Sequence, residues 1–260
     1  MKFYWNIYKE FINTNISEAS SFRLSFILII LLDLVFYLSA LGTVHVIYDH
    51  VEAIGPWNKN QLMFFTAFML CVDHLHMALI SESFWRLSAD IRMGNLDFIL
   101  LKPVHSLFTV FFRYIRPSAL FNAFIIWGTT IYFGLQIPLS ALSWVLLPFF
   151  IILSFSLLAI LEFIISASMF WITEGIGINF LRMQIQQLSR WPDFIYQYFT
   201  RKTFTIAIPI LLIGSAPVHF LYDPRQWEYL LGLFVALVVS LLVLLKVWSL
   251  ALNRYESASS

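Results

Sequence analysis

The chain has 260 residues, of which 60% are hydrophobic and 12% charged, with a net charge of +1. A soluble domain carries about 25% charged and 45–50% apolar residues, so a surface wetted on all sides is excluded, whereas lipid accepts Leu, Ile, Val and Phe facing outward. The small net charge gives no sign of a nucleic-acid partner, and Cys71, the only cysteine, excludes a disulfide framework or zinc-finger spacing.

At the N-terminus, Tyr4, Ile7, Tyr8 and Phe11 recur at helical spacing opposite Lys9 and Glu10, which predicts an amphipathic helix over residues 1–22 lying in the membrane interface. Six apolar runs follow: Leu24–Val44, Gln61–Ser81, Leu107–Phe133, Leu142–Trp171, Thr203–Leu221 and Glu228–Leu252. About 20 apolar residues cross a ~30 Å hydrocarbon layer. Backbone amides in lipid must be paired within the segment, so each run is expected to be a transmembrane helix. Leu24–Val44 is longer than the roughly 7–15 residues of a signal-peptide core and lies farther from the start, so it reads as an uncleaved anchor. The third and fourth runs exceed the minimum and are expected to tilt or project. The sequence from Leu142 to Leu181 is nearly continuously apolar and has room for two helices. One helix ending near Trp171 keeps the charge distribution clean, and is the expectation here. Trp57, Trp144 and Trp227 fall near the predicted outer ends, as interfacial aromatics do.

With the N-terminus inside, Lys2, Lys9, Arg23, Arg86, Arg92, Lys102, Arg113, Arg116, Arg182, Arg190, Arg201, Lys202, Lys246 and Arg254 all face the cytoplasm, leaving only Lys59 and Arg225 outside. This satisfies the positive-inside rule and supports an even number of spans. No G-x-x-x-x-G-K-[ST] phosphate loop occurs, so an ATP-driven process needs an ATPase on another chain.

A charge within a span costs on the order of 2.5–3.5 kcal/mol and needs a reason. Asp33 lies midway along the first span, while Asp73 and His76 share one face of the second. They are candidates for a polar substrate or proton path, or for a buried hydrogen bond between helices. His74 points away from Asp73, and a metal site there is not expected. Glu162 and Lys246 fall near predicted inner ends and are expected to snorkel. The Glu82–Ser106 loop is basic and amphipathic. Gly94 and Pro103 bracket a short segment in it, rigid enough to dock on a partner and push on both adjoining spans.

This loop reads Arg92-Met-Gly-Asn-Leu-Asp-Phe-Ile-Leu-Leu-Lys-Pro103, an R-x-G-x-L-D-x-x-L-x-K-P pattern. Met169-Phe170-Trp171 is followed by Trp191-Pro192, and Ile208-Pro209 and Ala216-Pro217 mark the fifth run. Near the C-terminus the chain reads Trp248-Ser-Leu-Ala-Leu-Asn-Arg-Tyr-Glu-Ser257, a W-x-x-x-L-x-R-Y-x-S pattern. With these features the chain resembles a six-helix permease subunit of the type-two ABC exporter superfamily, in the branch of about 260 residues. Tyr-Pro is commoner there than Trp191-Pro192.

The resemblance implies a single transmembrane permease domain over residues 1–260. Its fold would be all-α, with six transmembrane helices, the N-terminal interface helix and a cytoplasmic coupling helix within 82–106, between the second and third spans. Arg92, Gly94, Leu96, Asp97, Lys102 and Pro103 would couple it to cytoplasmic ABC ATPase subunits that hold ATP and magnesium. A second copy or a related permease would supply the other transmembrane half. The setting would be a bacterial cytoplasmic (inner) membrane, with both termini cytoplasmic. The resemblance assigns no role to Asp33, Asp73 or His76. Aromatic spans with few charges suit export of a hydrophobic or amphiphilic compound, and Asp33 and Asp73 are expected to attract a cation. His219–Trp227 is a candidate re-entrant piece. A proton-coupled secondary transporter working through Asp73 and His76, or a membrane assembly subunit without transport, are the competing readings.

Overall fold

The computed structural model describes residues 2–172 and 175–255. Within these residues the chain is helical apart from its connections and one isolated bridge between Ile54 and Trp57. Helices α1 (Lys2–Ser21), α2 (Arg23–Tyr48), α3 (Lys59–Leu79) and α4 (Ser81–Arg92) come first, then α5 (Asn95–Leu100), α6 (Ser106–Phe112), α7 (Pro117–Leu120) and α8 (Ala123–Gly134). α9 (Ala141–Ala167) continues as a 3-10 turn to Phe170. Then follow α10 (Gly175–Ser189), α11 (Tyr198–Lys202) running into a π-turn (Thr203–Ala207), α12 (Leu212–Tyr222) and α13 (Trp227–Arg254). Among the described residues, four helical stretches have the length and hydropathy to cross a bilayer: α2, α3 with α4, α9 and α13. These match the first, second, fourth and sixth apolar runs.

α3 is the centre of the bundle. Asn58 and Gln61 form a reciprocal capping box at its start, and Leu62, Phe64, Phe65, Phe68 and Cys71 are fully enclosed. A helix apolar on every side is stable only inside a core, and α2, α8, α9 and α12 supply it.

Two expected spans are not single helices. Leu107–Phe133 is divided into α6, α7 and α8. Pro117 starts α7, where its missing N–H costs nothing. The Arg116 amide leaves the helical pattern and donates to the Ala78 carbonyl at 2.9 Å. Thr203–Leu221 is bent instead of straight: Tyr198–Ala207 and Leu212–Tyr222 meet at 99° around Ile208-Pro209. Both limbs run to the same end of the bundle. Arg201 on the first and His219 on the second each reach Asp193, and the Tyr222 hydroxyl donates to the Gln61 carbonyl at the start of α3. His219 to Tyr222 is the last turn of α12, so the expected His219–Trp227 piece is not a separate element, and the bend lies earlier, at 208–211.

α10 is a helix the hydropathy pattern did not separate. It runs beside α4 and then α3. A Cβ on Gly175 would strike the Ser88 side chain, Asn179 Nδ2 donates to the Phe84 carbonyl, and Gln186 reaches Asp73. Beyond α10, the Phe194 ring covers Gly55 and lies 4.8 Å from Trp57. Its 15 residues rise about 22 Å. The polarity is inverted relative to a soluble helix: Asn179, Arg182, Gln186 and Ser189 are buried, while Ile176, Phe180 and Leu181 are exposed. Trp57, expected at an interface, is a core residue enclosed by Phe65, Phe194, His219 and Tyr222.

Gly214 lets α12 approach α3 closely. An added Cβ would lie 2.5 Å from Met69 Sδ and 2.9 Å from the Phe65 ring. Gly214→Val is expected to destabilise the protein by about 1–3 kcal/mol, measured as a lower unfolding temperature in mild detergent.

Candidate functional site

The α4–α6 connection is built around Gly94, whose φ of +73° suits glycine and starts α5. One face of α5 is anchored in the bundle: Leu96 and Ile99, one turn apart, are 0% and 2% exposed. The other side projects Met93, Phe98 and Leu101, at 65%, 69% and 82% exposure. Arg92, Lys102 and Pro103 are exposed around this apolar knob, whereas Gly94 is buried and Asp97 half-buried.

Other motif segments converge behind the knob. Burial, together with the neighbouring Asp97 carboxylate, pushes the Tyr255 phenol up to about 12. The Tyr255 ring lies 6.1 Å from Phe170, and Phe170 lies 5.5 Å from Trp248. Trp248 Nε1 donates to Ser106 Oγ at 3.0 Å and packs against Phe111. The loop, the end of α9 and the end of α13 therefore form one aromatic cluster. α1 lies on the same assembly, with the Tyr4, Tyr8 and Phe11 rings against Phe108 and the Tyr4 hydroxyl accepting from the His105 amide.

The sequence candidates Asp33, Asp73 and His76 do not form one path. Asp33 is held by Arg116 at 2.6 and 2.7 Å. Asp73 accepts from Arg190 Nε at 2.8 Å and Gln186 Nε2 at 2.9 Å. His76 Nε2 lies 2.6 Å from Glu162 Oε2, while Arg182 donates to Glu162 Oε1 at 2.8 Å. Glu162 does not snorkel: it is 1% exposed, on the side of α9 that faces α3 and α10. Arg182 is 2% exposed, with its guanidinium 4.1 Å from the Phe84 ring. Arg182 and Arg190, expected in an inner loop, are the counter-charges of α3 and α9 residues. Arg201, expected beside them, lies at the Trp57 end.

That end has its own pair. Burial alone would raise the Asp193 carboxyl, but His219 and Arg201 together hold it below the usual carboxylate range. This joins the 190–197 segment to both limbs of the bent element. Sequence reasoning missed Glu162, Arg182, Arg190 and Asp193 as partners. The available signal was the spacing Asn179, Arg182, Gln186, Ser189, a polar stripe within an otherwise apolar stretch.

A family model described as ABC-2 family transporter protein matches residues 24–259. No curated protein and no solved structure matches the chain. The matched stretch begins at α2 and takes in α5, the aromatic cluster and every buried ion pair described above. The chain therefore belongs to the ABC-2 transporter family, as a multi-pass membrane permease.

Proposed function

We propose that this chain is the permease half of an ATP-driven exporter whose ATP and magnesium are held by separate cytoplasmic ATPase subunits. The observation that carries this reading is α5, which has one face fixed in the bundle and an exposed apolar knob of Met93, Phe98 and Leu101 fringed by Arg92 and Lys102. A contiguous apolar surface rimmed by polar groups marks a protein contact. Closure of the ATPases on ATP would displace α5, and the Asp97, Tyr255, Phe170 and Trp248 cluster would pass that movement to α9 and α13. This is a rigid-body transition driven by differential binding to two states. A second copy or a related permease completes the pathway.

In this reading α2, α3, α6 to α8, α9, α10 and α13 are six crossings of a bacterial cytoplasmic membrane, and both termini are cytoplasmic. The 198–222 element dips in from the outer face and returns, and α1 lies in the inner interface. Arg86, Arg92, Lys102, Arg113 and Arg254 gather at the α5 end, which supports the orientation, although Arg201 and Lys202 join Lys59 and Arg225 at the opposite end and narrow the bias expected from the sequence. The cargo is a hydrophobic or amphiphilic compound. A cavity of about 740 Å³ between α9, the bent element and α13, lined by Leu161, Ile165, Pro209, Val235 and Val239, has room for an alkyl chain.

The topology is tested by single cysteines. Cys71 is fully buried and stays silent. Lys102→Cys is expected to react with an impermeant maleimide only after cells are opened, and Tyr198→Cys from outside intact cells. Labelling of Lys102→Cys from outside refutes the orientation. Labelling of Tyr198→Cys only from inside restores a continuous fifth span in place of the dipping element.

A further inference from the structure

Two ion pairs beside α2 share an asymmetry. Asp73 is 1% exposed and its partner Arg190 28%, while Asp33 is 8% exposed and Arg116 24%. Each pair hides its carboxylate, while its arginine side chain is partly exposed. Arg190 Nε is used by Asp73, and the opposite carboxylate oxygen is held by Gln186, so the pair is fixed from below. A guanidinium has five N–H donors. Among the described residues, those on the two terminal nitrogens of Arg190 have no hydrogen-bond partner.

Arg190 and its partner Asp73 line a cavity of about 130 Å³, bounded also by Phe36, Ala40, Thr43, Thr66 and Trp191. That is roughly the volume of four liquid waters, enough for a compact head group and too small for a drug-sized molecule. The Phe36 ring lies 5.0 Å from the guanidinium and limits its plane. The hydroxyls of Thr43 and Thr66 donate to carbonyls of their own helices, which leaves the Arg190 guanidinium and the Trp191 indole N–H as the side-chain donors of this lining. On the same side of α2, one turn before Phe36, Leu32 is an exposed apolar side chain.

We propose that Arg190 binds the anionic head, a carboxylate or phosphate, of an amphiphile whose tail lies along α2. A planar guanidinium suits both groups through paired N–H donors. A charge displayed within a spanning bundle marks a ligand path. The proposal rests on the permease reading and specifies its cargo. It reverses the cation preference expected from Asp33 and Asp73, because both Asp73 oxygens are taken up by Gln186 and Arg190 while the terminal N–H groups of Arg190 are not.

The test uses the purified full-length chain in a neutral maltoside detergent, titrated with laurate, dodecyl phosphate and dodecyltrimethylammonium, which share one chain length. At least one of the two anions is expected to bind about tenfold or more tighter than the cation; which one distinguishes a carboxylate from a phosphate head. Arg190→Gln should remove the preference and Arg190→Lys should retain most of it. Asp73→Asn/Arg190→Gln, which leaves no unpaired charge, should remove it in a folded protein. Ala40→Phe, which fills the cavity and spares the ion pair, should weaken anion binding by a similar factor. Equal binding of all three ligands, preference for the cation, or a preserved anion preference in the folded double variant would overturn the proposal. No ATPase takes part, so this outcome is independent of the coupling experiments.

Discussion

Arg182→Leu is expected to be the most damaging single replacement outside the connections. It leaves Glu162, 1% exposed, with only His76 beside it. Removing one partner of a buried pair costs about 3–5 kcal/mol, because the other charge remains desolvated. For a chain of this size that corresponds to a fall of roughly 10 °C in unfolding temperature, measured by thermal unfolding in mild detergent. Glu162→Leu in the same background should recover most of the loss, since two apolar residues of similar volume tolerate the site. A double variant no more stable than Arg182→Leu alone would show that the arginine acts through packing against Phe84 and not through charge.

The second large effect is expected at α5. Phe98→Asp/Leu101→Asp should reach the membrane at normal levels, because both side chains project away from the bundle. It should fail to retain its ATPase partner. Buried apolar anchors of an interface contribute about 2 kcal/mol or more each, so the pair should weaken association by roughly a thousandfold. The measurement is recovery of the co-expressed ATPase on the tagged permease. Leu96→Asp is the control: Leu96 is fully buried, so its loss should lower the amount of folded protein itself. Normal recovery of the ATPase by the double variant would remove α5 from the coupling reading.

The sequence candidates divide along the same line. Gly94 to Pro103 was legible because a left-handed glycine, a short amphipathic turn and a helix-ending proline are local features. Which side of α5 faces out was not, because Leu96, Ile99, Phe98 and Leu101 are equally apolar and only the bundle distinguishes them. Asp33, Asp73 and His76 stood out as charges in apolar runs. Their partners Arg116, Arg190 and Glu162 lie 83, 117 and 86 positions away or more, and nothing local links them. α10 was hidden because a hydropathy window averages over faces, and a helix that turns its polar stripe inward scores as a weak span.

Chain composition and the length of its apolar runs were enough to establish a membrane protein and four of its long helices, since these depend only on solvent transfer and backbone pairing within a segment. The folded bundle alone decided that Arg116 and Pro117 divide one apolar run, that the 198–222 stretch bends by 99°, and which arginine neutralises each buried acid. Those outcomes depend on which faces meet across the core, and a charge in a low-dielectric interior is stable only where its partner is brought to it.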